Sequence, residues 1–111
     1  MRIAVSVLAI LFALLHIIAA VTQFKSKDPA ARGSASLMLC GGAALIVSAV
    51  AHLVNSSSGA WIDVLSAGVC GFLPICLAAY LNGRRSGNVH TLHHAVRCGV
   101  AIVLVAGLFL W

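Results

Sequence analysis

"NVHTLHHAVRCGVAIVLVAGLFLW", residues 88–111, decides how many times this chain crosses a membrane. Its plainly apolar part runs only from Cys98 to Trp111. That falls short of the roughly twenty helical residues a bilayer core requires. Starting the segment at Val89, with Asn88 as its cap, supplies the missing length. His90, His93, His94 and Arg97 then belong to a transmembrane helix and not to a loop.

Three further apolar runs precede it: Ile3–Phe24, Ser34–Asn55 and Trp61–Leu81. With 62% hydrophobic residues and 8% charged, an ordinary soluble domain is excluded. The mean hydropathy of +1.11 agrees. The expected fold class is all-α: a polytopic membrane protein whose four transmembrane helices, about 3–24, 34–55, 61–81 and 89–111, form two antiparallel hairpins in a single domain over 1–111. The connections "KSKDPAARG", "SSSGA" and "NGRRSG" are short and rich in turn and breaker residues.

Charge orients the bundle. Lys25, Lys27, Arg32, Arg84, Arg85 and Arg97 cluster around the first and last connections, whereas only Arg2 lies on the other side. Basic residues mark the cytoplasmic face, so loops 25–33 and 82–88 are expected inside and both termini outside, in a cell (inner) membrane. Trp61 and Trp111 then fall at the outer interface, where indole rings prefer to sit. Topology accounts for the net charge of +5, so nucleic acid is not an expected partner. The N-terminal run imitates a signal peptide, but it is long for one and its cleavage would leave "KSKDPAAR" outside, so it is read as the first helix.

Chemistry has few places to reside. The only acids are Asp28 and Asp63, so paired-carboxylate catalysis has nothing to work with. No Gly-x-Ser-x-Gly elbow and no phosphate loop occurs, and Gly41-Gly42 reads as close helix packing. No enzyme activity and no obligatory cofactor are expected. Asp63 lies just inside a transmembrane run, where an acid is costly alone, and His52 sits at the matching depth across the hairpin. The pair is a candidate ion pair or proton or cation site. His16, near mid-membrane, is a third candidate.

Small residues suggest the packing faces: Ala9 and Ala13 in the seam with His16, the row Ser36, Cys40, Ala44, Ser48 leading to His52, and Gly99 with Ala106 on the last helix. No C-x-x-C occurs, but His16, Cys40, Cys76 and Cys98 reach similar depth and are of the ligand types that suit zinc or Cu(I). Depth also allows His16 and His94 to hold haem. At 100° per residue, His90, His93, His94 and Arg97 share an arc of about 100° on the last helix, with Ala95, Gly99 and Ala106 opposite. The expectation is that the small side packs inward and the histidine side meets anionic lipid headgroups or a partner, with metal binding by His90 and His94 as the rival.

These features point to a non-enzymatic accessory or scaffold subunit that packs against itself or another membrane protein. An oligomeric transporter for a proton or cation, using His16 or His52/Asp63, and a metal- or haem-binding protein are the alternatives.

Overall fold

The computed structural model describes residues 1–54, 62, 65–85, 87 and 91–110. Helix α1 is Arg2–Gln23 and α2 is Pro29–Val54. A π-helical segment, Ala67–Phe72, leads directly into α3, Leu73–Arg85, and α4 is Thr91–Leu110. No strand occurs among the described residues. Three helical stretches, Arg2–Gln23, Pro29–Val54 and Leu92–Leu110, are long and apolar enough to cross a membrane.

Helix α2 starts five residues earlier than its apolar run suggests. Asp28 Oδ1 accepts a hydrogen bond from the Ala30 N–H at 3.0 Å, and Pro29 occupies the first turn, where its missing N–H costs nothing. The connection from α1 is thereby reduced to a tight turn. At the other hairpin α3 continues through Asn82, Gly83, Arg84 and Arg85, beyond the expected end at Leu81. Gly87 then closes it, donating its N–H to the Arg84 carbonyl at 3.2 Å with φ +70°, a conformation that favours glycine. Most of the residues expected in basic loops therefore sit on helix ends.

Pro74 accounts for the π segment. Proline has no N–H for the carbonyl four residues back and its ring crowds that turn, so the helix widens. The Leu73 N–H accordingly bonds to the Gly68 carbonyl, five residues earlier. The buried row on this segment runs Ala67, Gly71, Ile75, Ala78, Ala79, while Cys70 is exposed and Pro74 half-buried. A regular wheel, which puts Cys70 and Pro74 on one packing face with Ala67, fails here because the wide turn rotates everything after it.

On α2 the expected row Ser36, Cys40, Ala44, Ser48 divides by burial. Ser48 and His52 are buried, Ala44 is half-buried, and Ser36 and Cys40 are exposed. A strict spacing of four advances about 40° around the helix at each step, so Ser36 and His52 end up on nearly opposite sides. The actual seam alternates threes and fours through Ala31, Ala35, Met38, Gly42, Leu45, Ala49 and His52. On α1 the buried seam is Ser6, Ala9, Ala13, His16 and Ala20.

Two glycine contacts set the spacing of these helices. A Cβ on Gly41 would stand 2.7 Å from the Gly71 carbonyl oxygen, and one on Gly71 would stand 3.0 Å from Leu45 Cβ. On the side towards α1, a Cβ on Gly42 would meet Ile17 at 2.6 Å. Helix α2 thus presses backbone-close on the π segment and close on α1, the kind of approach that dispersion rewards where there is no water to expel. Outside this core, Ile3, Leu8, Leu11, Leu15, Ile18, Val47, Leu73, Ile102, Val103 and Phe109 are exposed. Such an exterior suits hydrocarbon, which demands no polar covering.

Gly41→Ala and Gly71→Ala are each expected to lower stability by about 1–3 kcal/mol through overpacking. Gly33→Ala, whose Cβ would meet nothing within 4 Å, is expected to cause no loss. Denaturant unfolding in detergent micelles, followed by circular dichroism, checks the contrast.

Candidate functional site

The ends of the bundle differ in chemistry. At the end formed by the start of α1 and the finish of α2, Arg2 reaches back to donate from Nε at 2.6 Å, and also from Nη2, to the carbonyl oxygen of His52. Carbonyls in the last turn of a helix lack intrahelical partners and carry partial negative charge, so a guanidinium is a suitable cap. One turn back along α2, the Ser48 and Ser66 hydroxyls are 2.9 Å apart. The His52 ring is buried with Nε2 unpartnered among the described residues, and Ser6 Oγ on α1 is likewise buried without a hydrogen bond among them. Asp63, the expected partner of His52, lies outside the described residues, as do Trp61, Asn88, His90 and Trp111. The cap from Arg2 has no signature in the sequence, since it joins positions fifty apart through a backbone oxygen.

His16 is tied into its own helix. Its Nδ1 donates to the Phe12 carbonyl at 2.7 Å, and its ring lies against Phe12 with centroids 4.3 Å apart. Phe12 in turn touches Phe72 at 5.3 Å, linking α1 to the π segment. This hydrogen bond leaves His16 Nε2 as the nitrogen available to another group.

The cysteines do not gather with it. Cys40, Cys70 and Cys98 are exposed and Cys76 is half-buried; Cys76 and Cys98 neighbour one another across α3 and α4 and line an apolar groove of about 440 Å³ with Phe72 and Ala101. Among the described residues no three His, Cys, Asp or Glu side chains come together as a metal-holding group.

At the other end the bundle carries an open, partly polar cavity of about 240 Å³ between all four helices. Its polar lining is Gln23 from α1, Asn82 from α3, and His93, His94 and Arg97 from α4, with Met38 among the apolar walls. The amides are fixed: Asn82 Nδ2 donates to Gln23 Oε1 at 3.0 Å, and Arg85 Nη2 donates to Asn82 Oδ1 at 2.6 Å. Arg85 Nε also pairs with Asp28 Oδ2 at 3.3 Å, at a largely exposed position where such a pair contributes about 0–1 kcal/mol. A chain of polar contacts therefore joins the α1–α2 turn to the end of α3 and stops at the cavity. Arg97 Nη2 lies 3.1 Å from His93 Nε2, and the His94 ring meets Tyr80 edge-on with centroids 6.2 Å apart.

This placement reverses the expected facing of α4. Its inward seam is His94, Arg97, Ala101, Leu104 and Leu108, with the first two half-buried and the rest buried. Ala95, Gly99 and Ala106 are exposed, and a Cβ on Gly99 would meet nothing within 4 Å. The physical reason is that ionisable groups inside a membrane bundle turn towards protein, whereas small residues can serve either a partner helix or lipid. Gly107 packs beside this seam, with Val5 Cγ1 2.9 Å from its Cβ position.

No protein-family model matches this chain, and no curated protein or solved structure aligns with it significantly.

Replacing Arg2 by Met is expected to cost about 1.5–3 kcal/mol, the usual worth of hydrogen bonds from a charged donor. Thermal unfolding of the two proteins in the same detergent tests this, and an unchanged midpoint would show that the cap contributes nothing.

Proposed function

We propose that this chain is a small integral membrane protein with no turnover of its own, an accessory or scaffold subunit that works by pairing with a second copy through α4. The observation that carries this reading is the open small-residue face of that helix: Ala95, Gly99 and Ala106 are exposed, and among the described residues no contact requires a glycine at position 99. Only 22% of the α4 span is buried, against 39% for α2, so α4 is the least covered of the long helices.

The surface fits itself. Helix α4 stands between two apolar grooves, one of about 510 Å³ beside α1, lined by Leu11, Phe12 and Gly99, and the groove of about 440 Å³ beside α3. A two-fold axis at Gly99 would seat the helix of each copy against the open face of the other, with residue 99 meeting its own counterpart. Small residues at such a crossing let the backbones approach closely. Arg97 looks the other way, into the bundle, so pairing brings no like charges together.

In this reading the basic residues set the direction of insertion. The ends carrying Lys25, Lys27, Arg32, Arg84 and Arg85 face the cytoplasm of a cell (inner) membrane, and both termini face outward.

Wild-type protein in mild detergent is expected to have the mass of a dimer. Gly99→Leu is expected to give monomer with unchanged helix content, because the added side chain meets nothing within its own chain near Cβ. A wild-type monomer, or a Gly99→Leu dimer, contradicts the pairing. For orientation, reporter fusions after residue 110 are expected to read as external and fusions near Gly87 as internal, and the reverse pattern contradicts it.

A further inference from the structure

We infer that the cavity at the basic end is a binding site for a phosphate oxyanion, one that an anionic phospholipid headgroup can present. The starting point is Arg97. It is half-buried, in the second turn of α4, and among the described residues it makes one hydrogen bond, with His93 Nε2, and meets no carboxylate. A guanidinium partly withdrawn from water is stabilised by an anion that neutralises it and by acceptors for its remaining donors. The protein has little to offer. Of its two acids, Asp28 is engaged by Arg85, and Asp63 is outside the described residues.

The rest of the lining points the same way. His93 and His94 bring two imidazoles to the cavity, and among the described residues no acid lines it. The cavity also sits by the first turns of α4, the end where a helix carries partial positive charge. A divalent metal fits poorly here, because the nearby guanidinium would repel it and the two imidazoles belong to adjacent residues with ring centroids 6.2 Å apart. A phosphate suits the same groups: guanidinium presents a planar fork to two phosphate oxygens, and imidazole and amide N–H groups can serve the others.

Size agrees with this class of ligand. About 240 Å³ is room for several waters, enough for a phosphate and the first atoms of its ester. Basic pockets between transmembrane helices at the membrane surface are known to take anionic headgroups. Arg97 lies on the side of α4 away from Gly99, so the site does not depend on pairing between copies.

The experiment uses the full chain in mixed bilayer discs of phosphatidylcholine and phosphatidylglycerol, with retained lipid counted by native mass spectrometry after release. Wild type is expected to keep phosphatidylglycerol in preference to phosphatidylcholine. Arg97→Gln is expected to reduce that preference about tenfold, whereas Arg84→Gln, the same charge change on an exposed arginine outside the cavity, stays within about twofold. Equal losses in the two variants would mean general surface charge and would overturn the site, as would no loss in Arg97→Gln.

If Arg97→Gln fails to fold, Arg97→Lys takes its place. It keeps the charge and lacks the planar fork, so a several-fold loss is expected and wild-type behaviour overturns the proposal. Inorganic phosphate separates the two sources of the oxyanion. Displacement of the retained lipid by millimolar phosphate identifies a site for the oxyanion itself, and retention against it identifies the lipid headgroup, held also by its acyl chains. Failure of both lipid and phosphate to bind overturns the proposal.

Discussion

The contact of α2 with the π segment at Gly41 and Gly71 is the constraint from which the other placements follow. A side chain at either position would run into backbone or a neighbouring Cβ, so the two segments can lie this close only because both residues are glycine. With the π segment on one side and α1 on the other, through Gly42 and Ile17, α2 becomes the central member of the bundle. Helix α4 is left to complete it against α1 and α3. Its seam from His94 to Leu108 is the side turned inward, and that places Arg97 in the cavity and Gly99 on the outside.

Pro74 is the second determinant. Without the wide turn it forces, α3 would present a different face to α2 and α4. Local chemistry and packing thus act together, since the residue that disrupts the regular ladder stands three positions from the one that needs to approach its neighbour.

Much of this was legible in the residues. Hydropathy alone gives the apolar helices, and the alternating seam of Ser6, Ala9, Ala13, His16 and Ala20 can be read from spacing because α1 has no proline or glycine to disturb its period. The early start of α2 was also within reach, since Asp28-Pro29 is an ordinary cap and first-turn pair, but hydropathy draws the boundary at Ser34. The facing of α4 was not legible. Both of its sides are apolar or small over most of their length, and in a chain with so apolar an exterior burial leaves no hydrophobic contrast to read. Long-range polar contacts were equally hidden, because Arg2 to His52 and Gln23 to Asn82 join distant positions through groups that many other residues also carry.

The facing of α4 is the central claim, because the open pairing face and the oxyanion cavity both follow from it. Oxidative cross-linking of designed cysteine pairs in a background with the four native cysteines replaced tests it within a single chain. Val5 Cβ lies 3.6 Å from the Cβ position of Gly107, close to the mean separation across a disulfide, about 3.8 Å. Val5→Cys with Gly107→Cys is expected to form an intramolecular disulfide readily, and Val5→Cys with Ala106→Cys is not. Efficient linkage at 106 with none at 107 would turn the helix to its other side and contradict the account.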